Sequence, residues 1–167
     1  LGMGRIGRAV AQRARGFGME IHYHNRNKLS SDLELGARYH KDAESLFAES
    51  EFLSINCPAT AETTNLLNEE TIKFLPDKAV VANAARGDII DDKAMIKAMK
   101  SGKIFALGLD VYNGEPKINE EYLKLENLFL LPHLGSSTKR TRIDMGDRAI
   151  DNLEVFFLGK KPKDQVN

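Results

Sequence analysis

The stretch LGMGRIGRAVAQRARGFGMEIHYHNRN, residues 1–27, decides how the rest of the chain is read. Gly2, Gly4 and Gly7 stand in the spacing G-x-G-x-x-G, with Arg5 and Ile6 between the second and third. In such a loop the first glycine permits a tight turn, the second lets backbone approach a pyrophosphate, and the third lets a helix pack close. The next residues predict that helix, from Gly4 to Gly16, with Ile6, Val10 and Ala14 spaced by four on its inner side. Its N-terminus would offer unpaired N–H groups and a positive dipole end to an anion. MEIHYH, residues 19–24, then reads as a short strand. A strand should also precede the fingerprint, but only Leu1 stands there, so the first strand is expected to be truncated and the chain to belong to a longer polypeptide.

Outward from this unit, strand and helix alternate. Residues 41–50 predict a helix entered at Asp42 as cap, with Ala43, Leu46 and Phe47 inward. Residues 51–56 predict a strand that stops at Cys57-Pro58, since proline has no ladder donor. Asn68 begins a short helix ending before Pro76. AVVANAA, residues 79–85, is small and apolar throughout, which predicts a strand buried on both faces. Residues 91–104 predict a helix with Ala94, Met95, Ala98 and Met99 inward, closed by Gly102. FALGLDV and LFLLPH are two further strands, and a long helix runs from Thr138 to Leu158. The fold class is therefore α/β, a doubly wound parallel sheet of the Rossmann type.

Composition narrows the function. Lys+Arg and Asp+Glu both number 24, a balance that gives no reason to expect nucleic acid or an anionic membrane as partner. One cysteine, Cys57, excludes an intrachain disulfide or cysteine-cluster metal site, so no metal is expected, and it suits a reducing cytoplasm. The longest apolar runs fall far short of a membrane span.

Each unusual polar cluster follows a predicted strand: HNR, NCPAT, NAARGD, DVYNGEP and PHLGSST. Ligands on parallel sheets bind at such strand ends. At the end of the second strand, where a site for NAD usually holds Asp or Glu, this chain has Asn25 and Arg26. Asn does not repel a 2′-phosphate and Arg can pair with it, which favours NADP, NAD remaining an option. The alternative is a solvated turn. Arg86 is either a surface arginine opening a turn at Gly87 or the fork that holds a carboxylate. Glu115 is either a loop acid before proline or a proton-handling group, and His133 either a helix-flanking histidine or an acid–base catalyst. Together an Arg, a Glu and a His, each after a separate strand, are the inventory for binding an anionic keto acid and moving one proton.

The blocks GMGRIG, NCPATAETTNLLNEETI, NAARGDIIDDKAMIKAMKSGKIFALGLDVYNGEP and LPHLGSST closely resemble the cofactor-binding half of the D-isomer-specific 2-hydroxyacid dehydrogenases, nearest the glyoxylate/hydroxypyruvate reductases. The resemblance covers essentially residues 1–167, read as one dinucleotide-binding domain whose N-terminal substrate domain is absent. It implies that Arg86 holds the substrate, that His133 carries the proton and that Glu115 orients His133. It places Gly2, Gly4, Arg5, Ile6 and Gly7 at the pyrophosphate and Asn25 and Arg26 at the adenosine. Cys57, Ala84, Arg86, Asp110, His133 and Gly135 would line the remaining cofactor. It also implies a small 2-keto acid substrate and a homodimer formed through this domain. The rival within the same superfamily is a dinucleotide-sensing corepressor without turnover.

Overall fold

A computed structural model describes residues 1–166. It divides into two units, residues 1–132 and residues 133–167. In the first, α1 (Arg5–Gly16) follows the glycine loop and leads into strand β1 (His22–His24). A four-residue helix, α2 (Ser31–Glu34), and strand β2 (Arg38–His40) come next. Then follow α3 (Ala43–Ala48), β3 (Phe52–Ile55), β4 (Ala79–Asn83), α4 (Asp92–Lys100), β5 (Ile104–Leu109) and β6 (Leu128–Leu130). The second unit holds α5 (Lys139–Phe157), capped by Thr138, whose hydroxyl accepts from the Thr141 N–H at 3.1 Å.

All strand pairs are parallel. β1 pairs β2, and β3, β4, β5 and β6 form a second sheet in that order. Leu1 and Gly2 are what lies between the two sheets. The Leu1 amino group donates to the Ser54 carbonyl at 2.8 Å, and the Asn56 N–H donates to the Leu1 carbonyl at 2.8 Å. On the other side the Gly2 N–H donates to the His24 carbonyl at 3.0 Å. Leu1 thus occupies the end of the central strand in the order 3-2-1-4-5-6. Between β1 and β3 lies a cavity of about 940 Å³, lined among others by Val10 and Ala14 of α1, Tyr23, Leu53 and Val80.

One face of the larger sheet carries the core. Leu53, Ile55, Val81, Leu107 and Leu109 are buried with Leu46, Phe47, Met95 and Ile96. Caps set the helices under this face: the Asp42 carboxylate accepts from the Ser45 N–H at 2.8 Å, and that of Asp91 from the Ala94 N–H at 3.1 Å.

Four expectations change. AVVANAA is buried on one face only, because Ala82 and Val80 turn toward the α1 side and border the cavity instead of a packed layer. On α1 the buried residues are Gly7 and Ala11, while Ile6 is 68% exposed. Gly7 sits where a Cβ would come within 2.1 Å of the Gly2 carbonyl oxygen, while Val10 and Ala14 of the expected face line the cavity. The element at Asn68 is one 3-10 turn, Thr71–Phe74, with the Asn68 side chain accepting from the N–H groups of Glu70 and Thr71. β2 was not expected, being three residues with one buried.

Candidate functional site

The glycine loop is built by three different constraints. A Cβ at Gly2 would lie 2.5 Å from the Cys57 nitrogen, and one at Gly7 would lie 2.1 Å from the Gly2 carbonyl oxygen. Those two glycines are required by packing within the chain. At Gly4 a Cβ would meet nothing within 4 Å. The fold therefore leaves the middle position open, which is what close approach of a phosphate needs. Gly4 caps α1 without a side-chain hydrogen bond, and no acid lies in the first turn. The N–H groups of that turn, with the dipole behind them, suit an anion. Arg5 and Ile6 are both exposed on it.

At the end of β1 the Asn25 side-chain oxygen accepts from the Met3 N–H at 2.6 Å. Asn25 therefore ties the adenosine end of the expected site to the glycine loop, a contact not visible in the sequence. Arg26 is exposed beside it. It helps to hold the Glu62 carboxyl below its ordinary value, after the larger effect of the Thr60 hydroxyl at 2.6 Å. Cys57, just past β3, is buried, burial pushes its thiol up, and its backbone nitrogen lies where a Cβ at Gly2 would fall.

The loop after β4 carries Ala84 and Arg86, both exposed. Asn83, 1% exposed, shapes it: its amide donates to the Arg86 carbonyl at 2.8 Å and accepts from the Ala85 N–H at 3.0 Å. The guanidinium donates to the Ala85 carbonyl at 2.6 Å and is otherwise presented to solvent. Gly87 lets this loop lie on the next one, because a Cβ there would come within 2.0 Å of the Tyr112 carbonyl carbon. In that next loop Glu115 accepts from the Tyr112 N–H at 2.9 Å, and Asn113 donates to the Ile90 carbonyl at 2.9 Å. Asp110, buried at the end of β5, donates its N–H to the Asn83 carbonyl at 3.0 Å. The first unit thus brings together the glycine loop, Asn25, Arg26, Cys57, Ala84, Arg86, Asp110 and Glu115 along the carboxyl ends of its parallel strands.

His133 opens the second unit, with Gly135 two residues on; both are exposed. His133 has φ +55°, a left-handed backbone that costs a non-glycine residue about 1–2 kcal/mol. Such outliers are concentrated at functional positions. Among the described residues no group of three or more His, Cys, Asp or Glu could hold a metal ion, and no helix is long and apolar enough to cross a membrane.

Comparison with known proteins shows the family to which the chain is similar. The profile of the D-isomer specific 2-hydroxyacid dehydrogenase, NAD binding domain, matches residues 1–135. The chain is 44% identical over its whole length to a glyoxylate reductase of Thermococcus litoralis, and 43% identical over 95% of its length to a glycerate dehydrogenase of Hyphomicrobium methylovorum. It spans 50% of each of those proteins. Among solved structures, a glyoxylate reductase from Paecilomyes thermophila superposes with a TM-score of 0.88 at 44% identity, over 92% of this chain and 47% of that one. An NADPH-dependent glyoxylate/hydroxypyruvate reductase from Sinorhizobium meliloti, in complex with NADP and malonate, gives 0.89 at 36% identity, over 94% of this chain and 48% of that one.

Proposed function

The chain belongs to the D-isomer specific 2-hydroxyacid dehydrogenase family, and on that premise we propose that it is the dinucleotide half of a cytoplasmic, homodimeric reductase of small 2-keto acids such as glyoxylate or hydroxypyruvate. The observation that carries this reading is the seating of the Arg86 loop, through Gly87, on the loop that holds Glu115. An anion-binding arginine and an acid then share the strand ends next to an open glycine loop.

In this reading the first-turn amides of α1 hold the pyrophosphate and Arg26 pairs with a 2′-phosphate, so NADPH is preferred over NADH. The nicotinamide supplies the hydride. Arg86 binds the substrate carboxylate and keto oxygen, fixing the carbonyl carbon in one orientation. His133 gives its proton to the keto oxygen in reduction and takes it back in oxidation. Glu115 is the acid that orients the imidazole and favours its protonated form. The glyoxylate reductase names of the relatives support the substrate class.

The test uses the full-length polypeptide containing this chain, assayed with glyoxylate, hydroxypyruvate, pyruvate and phosphohydroxypyruvate. His133→Ala should lower kcat by about 10²–10⁴-fold, the usual loss with a general acid–base group. Near wild-type turnover in that variant removes His133 from the chemistry, and binding of dinucleotide without turnover of any of the four acids favours a sensor instead.

A further inference from the structure

Two loops of the first unit bear Arg86 and Glu115, and one residue, Tyr112, links both to the end of β6. The backbone of Tyr112 and Asn113 is the floor on which Gly87 sits, one residue after Arg86: a Cβ at Gly87 would lie 2.2 Å from the Tyr112 carbonyl oxygen and 2.4 Å from the Asn113 nitrogen. The N–H of Tyr112 donates to the Glu115 carboxylate at 2.9 Å. Its hydroxyl donates to the carbonyl of Leu131, just past β6 and two residues before His133. The ring is half-buried against the core beneath the larger sheet. Burial, followed by the nearby Asp110 and Glu115 carboxylates, pushes the phenol up, so the hydroxyl keeps its proton and remains a donor. A second polar brace stiffens the same loop. Asn113 reaches Asp92 at 3.2 Å, and the buried Tyr122 hydroxyl donates to that same carboxylate oxygen at 3.0 Å.

We infer that Tyr112 is a positioning residue that joins the Arg86 and Glu115 loops to the end of β6, its hydroxyl holding the chain at Leu131. The inference rests on the catalytic reading given above. Phenylalanine in its place keeps the ring, its packing and the backbone N–H to Glu115, and removes only the bond to Leu131. Such a bond contributes little to stability but much to placement, since a misplaced acid loses rate steeply.

The experiment compares Tyr112→Phe, His133→Ala and wild type in the full-length enzyme. Tyr112→Phe should lower kcat about tenfold, with the KM for NADPH unchanged and the unfolding midpoint within a few degrees of wild type. Installing 4-aminophenylalanine at position 112, whose amine again donates to a carbonyl, should restore kcat. An unchanged kcat in Tyr112→Phe while His133→Ala is inactive overturns the inference alone. So does a loss that falls on the KM for NADPH, or a failure of the amine to restore the rate. Near wild-type turnover by His133→Ala overturns the parent reading instead. Should the phenylalanine variant not fold, the 4-aminophenylalanine protein decides by itself: wild-type kcat supports the inference and a tenfold loss overturns it.

Discussion

The four-stranded sheet β3–β6 and the two-stranded pair β1–β2 use the same parallel ladder but are held by different forces. Beneath the larger sheet twenty buried side chains form one continuous cluster, whereas the β1–β2 side buries four: Met3, Ala11, Tyr23 and Ala37. The smaller side relies on polar ties instead. Tyr23 donates to Glu34 at 2.5 Å and accepts from the Leu29 N–H, and the His22 and His40 rings meet at 3.0 Å. Its link to the rest of the sheet runs through Leu1 and Gly2. In the function proposed above, the loops of Arg86 and Glu115 leave the well-packed side, where 1 Å of error would cost rate, while the adenosine end leaves the side held by polar bonds.

The difference can be broken most forcefully by filling the space between the two sides. About five alternating apolar residues placed upstream of Leu1 would pair with β1 and β3 at once and fill the 940 Å³ cavity. With net hydrogen-bond gains and apolar burial on the order of 5 kcal/mol, the unfolding midpoint should rise by about 10–20 °C over residues 1–167 alone. Calorimetry on the two proteins checks this; equal midpoints would mean that the gap costs nothing.

Acidity should act next, and on the smaller side. Burial, followed by His22 and Arg38 near it, holds the His40 imidazole below its ordinary value, against the pull of Glu49 and Asp42. As pH falls through the ordinary histidine range the unfolded chain therefore takes up a proton that the folded one resists. Stability rises with pH up to and through about 6.5 and is fully present above it. Denaturant titrations at pH 5 and 8 should give the higher midpoint at pH 8. His40→Gln should shrink the difference.

A smaller change sharpens the comparison without touching the core. Asp at position 25 retains the oxygen that accepts from the Met3 N–H, so Asn25→Asp with Arg26→Ala should keep the loop in place. In the full-length enzyme the double variant should replace an NADPH preference of about ten- to hundredfold with one for NADH. Equal kcat/KM for both cofactors in the unmutated enzyme would remove Arg26 from the reading.

Where local chemistry alone decides structure, the sequence was readable. Asp42 and Thr138 mark helix starts with their own side chains, and Gly102 closes α4 with φ +78°. Arg86 and Glu115 were legible as site candidates because each follows an apolar strand. What escaped was tertiary. Nothing near Gly7 in the chain announces that it will pack against the Gly2 carbonyl, nor that Ala11 will be the buried alanine of α1. β2 shows no alternation long enough to detect, and it exists because β1 lies beside it. Asn83 and Tyr112 bond to the main-chain carbonyls of Arg86 and Leu131, acceptors that every residue possesses and that no pattern distinguishes.

Amide hydrogen exchange on the 167-residue chain, with and without NADPH, tests most directly whether the adenosine end rests on the weaker side. In the free chain the amides of β1 and β2 should exchange far faster than those of β4 and β5. At about 100 times its Kd, NADPH should slow exchange in β1, β2 and the glycine loop by up to about a hundredfold, and change β4 and β5 much less. Equal exchange in the two sheets before ligand, or protection that falls on β4 and β5 while β1 and β2 stay as they were, would contradict it.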